Sequence, residues 1–229
     1  MKKIAIIPAR GGSKRIPKKN IRFFLGKPII AYAIENALST NSFDEVIVST
    51  DDEEIADIAQ NYGASVPFLR SSKNSTDFAT TNDVISEVLD YYDSLDVKIE
   101  FVLCLYPCTP LLKSAHLKSA LDTIIKRDFD SVISVVKYST PIERALKISN
   151  NYIQLVNEET LFVRSQDFES KYFDAGQFYL FKADSYKKQN RILTNKSTAL
   201  ILDEMEVQDI DNENDWRMAE LKYKLLANE

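Results

Sequence analysis

The chain is poor in the residues on which several common kinds of functional site depend. Its 229 residues include one histidine, His116, and two cysteines, Cys104 and Cys108. A single histidine argues against a histidine-based metal site and against a Ser-His-Asp triad. Two cysteines do not make a disulfide framework, and their spacing is not the C-x-x-C of a redox pair. We therefore expect reduced thiols in the core or a pocket, and a histidine at the surface or in a helix cap.

Long hydrophobic runs are missing as well. No stretch is apolar enough to span a bilayer, and the first residues contain no signal-peptide hydrophobic region. The sequence therefore predicts a cytoplasmic protein with no membrane partner. A net charge of −5 argues against a nucleic-acid partner.

The content of 45% apolar and 28% charged residues is ordinary for a globular protein. Short apolar runs alternate with stretches of helical periodicity, which predicts an α/β fold with a Rossmann-like, mostly parallel sheet flanked by helices. Strands are predicted at residues 4–7, 45–50, 99–105, 131–136, 178–181 and 199–202. Helices are predicted at residues 28–38, 53–62, 82–92, 183–190 and 214–225, with a further helix capped by Ser114.

The alternation of strands and helices fails between residues 138 and 172. Short segments at residues 152–156 and 161–163 predict a meander or a hairpin there. We expect residues 1–229 to form one domain and residues 138–172 to form an inserted lobe. Apolar side chains such as Ile148, Tyr152 and Phe162 in this lobe need cover from the domain or from a partner.

A loop rich in glycine and cations follows the first predicted strand. It contains Arg10, Gly11, Gly12, Lys14 and Lys19, and no acid occurs in the sequence before Glu35. Glycines let the backbone approach a ligand, and turn amides can bind anions. The loop should lie beyond the carboxyl end of a strand, where α/β sheets bind ligands. These features predict a polyphosphate site, although neither G-x-x-x-x-G-K-[ST] nor G-x-G-x-x-G is present. The alternative is a solvated basic loop.

Two acidic pairs are further candidates. Asp209 and Asp211 are alternate residues of an extended segment, so both carboxylates can approach one cation. Alone, this pattern is also that of a solvated acidic turn. Asp51 and Asp52 end the second strand and can cap the next helix. Gly176, just before the fifth predicted strand, suggests a close backbone approach or a tight bend.

The stretch Ala9-Arg10-Gly11-Gly12-Ser13-Lys14-Arg15-Ile16-Pro17-Lys18-Lys19-Asn20 resembles the first motif of the CMP-sugar synthetases, which join CTP to an acidic sugar. Arg164-Ser165-Gln166-Asp167 and Asp174-Ala175-Gly176-Gln177-Phe178-Tyr179 resemble the pseudaminic acid branch of that family. Sialic-acid members usually have Gln-Pro where this chain has Tyr106-Pro107, and Asn-Gly-Ala where it has Ala-Gly-Gln. Cys108 and Thr109 depart from the small residues that usually follow this proline.

The resemblance implies a fold of the nucleotide-diphospho-sugar transferase type and a set of site residues. Nucleotide contacts would come from Ala9, Arg10, Gly11, Gly12, Ser13, Lys14, Lys19, Asn20, Arg70 and Thr81. Asp209 and Asp211 would hold Mg²⁺, and together with Arg10 and Lys19 they would be the catalytic residues. The sugar would contact Tyr106, Arg164, Asp174, Gln177 and Tyr179.

The implied reaction converts CTP and an acidic nine-carbon sugar to a CMP-sugar and pyrophosphate, in a homodimer formed through the lobe. Pseudaminic acid is the expected sugar. The alternatives are a CMP-N-acetylneuraminate, CMP-legionaminate or CMP-Kdo synthetase, a nucleotidyltransferase acting on a sugar 1-phosphate, and a nucleotide-binding regulatory protein without catalysis. The acids Asp209 and Asp211 argue against the last of these.

Overall fold

A computed structural model of the chain describes residues 1–227. The helices are α1 Ile29–Ser39, α2 Glu53–Asn61, α3 Thr81–Ser94, α4 Ser114–Arg127, α5 Ala183–Gln189 and α6 Glu213–Leu226. The strands are β1 Lys2–Pro8, β2 Phe23–Phe24, β3 Lys27–Pro28, β4 Glu45–Ser49, β5 Ile99–Leu105, β6 Ser131–Lys137, β7 Leu146–Ser149, β8 Tyr152–Leu155, β9 Tyr172–Lys182 and β10 Ser197–Leu202. Within the described residues no helix combines the length and the apolar character needed to cross a membrane.

Six strands of the described chain form one sheet in the order β10-β6-β9-β5-β1-β4. β1 pairs in parallel with β4 and β5, and β10 pairs in parallel with β6. β9 is antiparallel to both of its neighbours, β5 and β6. The predicted mostly parallel α/β sheet is therefore confirmed. The carboxyl ends of β1 and β5 lie side by side at one edge of the sheet.

Apolar side chains cover both faces of the sheet, and others pack beneath the basic loop. β1 contributes alternate residues to the two faces, with Ile7 on one and Ile6 on the other. A third cluster joins Ile16 of the loop to Ile210 and Trp216. Full burial of an isoleucine contributes about 1.5–3 kcal/mol. This cluster fixes the basic loop against the segment that carries Asp209 and Asp211.

The helix ends largely follow the predicted caps. The side chain of Asp52 accepts a hydrogen bond from the Ile55 N–H at 3.1 Å, which caps α2. Gly63, with φ of +91°, follows the end of that helix. Lys113 occupies the N-cap of α4, one residue before the predicted Ser114. The imidazole of His116 takes part in that cap, as expected, by accepting from the Lys113 N–H at 3.4 Å.

Two local predictions were wrong. Residues 161–163 form a turn rather than a strand, although the hairpin expected in the lobe is confirmed, with β7 antiparallel to β8. β9 begins at Tyr172 instead of residue 178, and its pairing with β6 shifts register between Ile133 and Val135. Gly176 has a φ of +59° there and no atom within 4 Å of an added Cβ. It is needed for backbone conformation at a bulge, not for a close approach.

Candidate active site

A cavity of about 700 Å³ opens at the carboxyl ends of β1 and β5. Four segments supply most of its lining: the basic loop after β1, the turn after β5, residues 174–179 of β9, and residues 208–211. Of the predicted site residues, the structure brings these to the cavity: Arg10, Ser13, Lys14, Lys19, Asn20, Tyr106, Asp174, Gln177, Tyr179, Asp209 and Asp211.

The cation end of the cavity consists of Arg10, Lys14, Arg15 and Lys19. Arg10 Nη1 lies 2.7 Å from Asp77 Oδ1, and Lys14 Nζ pairs with the other oxygen of the same carboxylate. The cations are thus offset by an acid from a distant part of the sequence, which inspection of the local sequence could not reveal. Even so, one loop supplies all four positively charged side chains of the cavity.

Two further loop residues are tied to the surrounding structure. Lys19 Nζ donates to the carbonyl oxygen of Ile210 at 2.8 Å. The Asn20 amide donates to the Arg10 carbonyl at 2.9 Å, and the Cys108 thiol lies 3.4 Å from Asn20 Oδ1. Asn20 therefore holds the loop in shape at the cavity edge.

Cys104 is buried in β5, where burial raises the pKa of its thiol to about 12, and it forms no disulfide.

Ala9, Gly11 and Gly12 do not line the cavity. The Gly11 N–H donates to Asp51 Oδ1 at 3.0 Å. A Cβ on Gly11 would lie 2.5 Å from Asp52 Oδ2, so this glycine permits a close approach to the end of β4. Gly12 has open space around it.

Asp209 and Asp211 both line the cavity and flank the buried side chain of Ile210. Arg15 Nη1 lies 2.7 Å from Asp211 Oδ2. No group of three or more histidine, cysteine or acidic side chains within residues 1–227 could hold a metal. Magnesium commonly takes one or two carboxylates and completes its shell with phosphate oxygens and water. The two acids therefore fit an ion that arrives with a polyphosphate.

Arg70 is buried and lies outside the cavity lining. Its Nε donates to Ser49 Oγ at 3.1 Å and its Nη2 donates to the Ser49 carbonyl. Burial lowers the pKa of its guanidinium. In this arrangement Arg70 braces the carboxyl end of β4.

The opposite side of the cavity is the tyrosine wall, formed by Tyr106, Asp174, Gln177 and Tyr179. The Tyr179 hydroxyl donates to Asp174 Oδ2 at 2.6 Å, and the Tyr106 hydroxyl lies 3.0 Å from Thr81 Oγ1. Burial raises the pKa of Tyr106, and burial together with the hydrogen bond to Asp174 raises that of Tyr179. Thr81 thus holds the hydroxyl of Tyr106 in place from outside the cavity lining.

Gln177 has an unpaired acceptor. Its side chain is 2% exposed, and its Nε2 donates to the Ala175 carbonyl at 2.9 Å. Its Oε1 is buried and has no hydrogen-bond partner among the described residues. A buried amide oxygen without a partner is unfavourable. Because Gln177 also lines the cavity, a small movement of its amide would let a ligand N–H or O–H satisfy this oxygen.

Arg164 is the predicted sugar-binding residue that the single chain does not bring to the cavity. It lies in the lobe, largely exposed, and pairs with Asp167 through Nε at 2.8 Å and Nη2 at 3.0 Å. Sequence reasoning in turn missed Asp77 and Gln208. Gln208 lines the cavity next to Asp209, and its place in the same extended segment was the available signal. Asp77 had no local signal.

The sheet and its cavity are those of an α/β protein that binds a ligand at the carboxyl ends of its strands. A profile of the cytidylyltransferase family matches residues 4–223, so the chain belongs to that family. It is 40% identical over 226 residues to a pseudaminic acid cytidylyltransferase of Campylobacter jejuni subsp. jejuni serotype O:2, covering 98% of this chain and 97% of the relative. It is 36% identical to a CMP-N,N'-diacetyllegionaminic acid synthase of Legionella pneumophila, covering 98% and 97%.

A solved structure gives the same result for the fold. The CMP:2-keto-3-deoxy-manno-octonic acid synthetase complexed with CTP superposes with a TM-score of 0.71 at 17% identity. The match covers 100% of this chain and 99% of that one. At this identity the likeness concerns the fold alone, and it agrees with the architecture inferred from the sequence.

Proposed function

We propose that the protein joins CTP to pseudaminic acid, giving the CMP-sugar and pyrophosphate. The observation that carries this proposal is that one cavity holds both the cation end and the tyrosine wall. The first suits a polyphosphate, and the second suits a polar sugar. The 40% identity with the Campylobacter jejuni enzyme over nearly the whole of both chains supports the choice of sugar.

In the proposed reaction the anomeric hydroxyl of the sugar attacks the α-phosphate of CTP, and pyrophosphate leaves. Transfer of this kind depends mainly on positioning and on neutralisation of charge. Arg10, Lys14 and Lys19 bind the phosphates, and Asn20 keeps the loop in place. Arg70 maintains the strand end behind them, and its contact with the nucleotide stays a prediction.

Asp209 and Asp211 would hold Mg²⁺ at the cation end. When bound, the ion would act as a Lewis acid on the phosphate oxygens. Arg15, which pairs with Asp211 at 2.7 Å, orients that carboxylate.

At the other end, Gln177 Oε1 accepts a hydrogen bond from the sugar, for which an acylamino N–H is well suited. Tyr106 presents a ring surface that suits a methyl group at the end of the sugar chain. Arg164 suits the sugar carboxylate as a bidentate donor. Since it lies outside its own chain's cavity, it would reach a sugar only from the lobe of a second subunit.

The lobe supports a two-fold homodimer. Its hairpin exposes Ile148, Tyr152 and Ile153, and the adjoining turn exposes Phe162. A run of exposed apolar side chains of this kind is typical of an interface. Light scattering at micromolar concentration is expected to give the mass of a dimer, and a monomer would contradict this part of the proposal. We place the reaction in the cytoplasm.

The test is pyrophosphate release with CTP and a panel of acidic sugars on one enzyme preparation. We expect kcat/KM for pseudaminic acid to exceed that for N-acetylneuraminic acid by roughly a hundredfold or more. N,N'-diacetyllegionaminic acid belongs in the panel because the Legionella relative also matches almost end to end. Equal values for pseudaminic and N-acetylneuraminic acid would contradict the sugar assignment, and no release with any sugar would contradict the proposed function.

A further inference from the structure

Asp77 binds two cations of the cation end at once. Its Oδ1 accepts from Arg10 Nη1 at 2.7 Å, and its Oδ2 accepts from Lys14 Nζ. The same Arg10 nitrogen also donates to the carbonyl oxygen of Thr76, at 3.4 Å. Both carboxylate oxygens are therefore used, each by a different cation of the basic loop.

A carboxylate and a phosphate present the same kind of acceptor to guanidinium and ammonium groups. Arg10 and Lys14 cannot give the same N–H groups to Asp77 and to a polyphosphate. The contacts with Lys14 and Arg10 hold the pKa of Asp77 below its usual range, so the carboxylate stays charged at neutral pH. An anion that takes these N–H groups must displace the carboxylate, and an anion that uses the other donors of the two side chains is still repelled by its charge.

The segment that carries Asp77 is built so that this displacement is local. Upstream, the Asn74 side chain and the Ser71 N–H bind Glu87 of α3 at 3.0 and 2.9 Å. Downstream, Thr80 forms the capping box of α3. Between these anchors, residues 76–79 make one backbone–backbone hydrogen bond to the described residues, from the Ala79 N–H to Thr76. Asp77 can withdraw without loss of the α3 cap.

We propose that Asp77 is an internal competitor for the phosphate-binding cations, which leaves them when CTP binds and returns to them as pyrophosphate departs. The inference rests on the proposed function, since it takes Arg10 and Lys14 as phosphate ligands. Its consequence is that the enzyme gives up some affinity for CTP and gains faster release of pyrophosphate.

The experiment is calorimetric titration of inorganic pyrophosphate into the full-length protein in EDTA, which removes any role of Asp77 as a metal ligand. Asp77→Asn keeps the size of the side chain and removes its charge. Because two exposed ion pairs are lost, its affinity for pyrophosphate is expected to rise roughly threefold to tenfold. Asp122→Asn is the matched control, since Asp122 is also an exposed aspartate paired to a lysine, 2.9 Å from Lys126, and it lies outside the cavity. It is expected to bind as the wild type does.

In turnover, Asp77→Asn should also be inhibited more strongly by added pyrophosphate, by a similar factor. Asp77→Ser serves as a second variant, with thermal unfolding as the check on its fold. Unchanged or weaker pyrophosphate affinity in folded variants would overturn the inference. Wild-type turnover of CTP and sugar is measured separately: its absence would overturn the proposed function, whereas its presence with unchanged pyrophosphate affinity in Asp77→Asn would overturn the role of Asp77 alone.

Discussion

The cation end and the tyrosine wall face each other across one cavity, but they are built in different ways. The cation end comes from a single loop, and its charges are exposed and paired in water; the side chain of Lys14 is 78% exposed. The tyrosine wall comes from the turn after β5 and from β9, far apart in the sequence. Its Gln177 is buried and its two tyrosines are half-buried, and their hydroxyls are held by Thr81 and Asp174. The ion pairs of the cation end can be exchanged for contacts with phosphate, whereas the hydrogen bonds of the tyrosine wall are already formed before the substrate binds.

This difference separates the two tasks of a transferase. Exposed ion pairs are screened by salt and contribute little to stability, so they can be exchanged for phosphate at small cost. Buried hydrogen bonds have defined geometry and are unfavourable when a partner is missing. We therefore expect charge to govern how CTP binds, and shape and hydrogen bonding to govern which sugar is accepted.

The largest effect is expected from Asp209→Asn or Asp211→Asn, which remove negative charge at the cation end. Loss of electrostatic stabilisation should lower kcat on the order of a hundredfold or more. Removing divalent metal with EDTA should do the same to the wild type. Glu204→Gln, an exposed acid on the same connection that does not line the cavity, is the control. Full activity of either Asp variant without metal would contradict a two-carboxylate magnesium site.

A smaller effect on a different parameter is expected at the tyrosine wall. Gln177→Leu removes the unpaired amide oxygen that we assign to the sugar. The value of kcat/KM for pseudaminic acid should fall about tenfold to a hundredfold, because a hydrogen bond in a buried site is lost. The KM for CTP should stay close to that of the wild type. Gln60→Leu, on the exposed face of α2, controls for the change of residue type. A rise in the KM for CTP alone would show that the two ends are not separate.

Salt should act on the cation end alone. Raising NaCl from about 0.05 to about 0.5 M shortens the screening length from above 10 Å to a few ångström. The KM for CTP is expected to rise several-fold, whereas the ratio of kcat/KM between two sugars of equal charge should not change. Sucrose at matching osmolality serves as the control. A sugar ratio that follows ionic strength would mean that charge, not the tyrosine wall, selects the sugar.

The smallest expected change is with pH. The pKa values of Tyr106 and Tyr179 are both raised, so these phenols stay protonated at and above their ordinary pKa of about 10. The ratio of kcat/KM between two sugars should therefore be constant from about pH 7 to about pH 9.5. If this ratio changed with pH in that range, the prediction that both phenols stay protonated would be contradicted.

The fold and the cation end could be predicted because their signals are local. Apolar runs such as that of β1, the alternation with helices, and the cluster from Arg10 to Lys19 all lie within short windows of sequence. The parallel sheet was predicted from the apolar runs and their alternation with helices, and the family from the resemblance of residues 9–20 to a known motif; both are confirmed. Arg10, Lys14 and Lys19 then lie where the end of β1 places them, at the cavity.

The remainder depends on long-range contacts that no short window contains. Asp77 offsets the basic loop across 67 residues from Arg10. The place of Arg164 depends on how the lobe folds back, and the chain by itself leaves it outside the cavity. Gly176 looked like a site of close approach, but its φ of +59° belongs to a register shift that only the pairing with β6 defines.

β9 runs from the lobe to the tyrosine wall, starting at Tyr172 and passing the bulge at Gly176 before it reaches Gln177 and Tyr179. Side chains alternate between faces along a strand, so a change of one residue in length exchanges the two faces. A single-residue deletion between Asp174 and Gln177 would change the bulge and therefore the position of Asp174 relative to Tyr179. Homologues that differ in their sugar are therefore expected to diverge here by substitution, with the number of residues from the lobe to the wall held constant. This segment is a poor place for inserting tags or loops, although it begins in an exposed part of the surface.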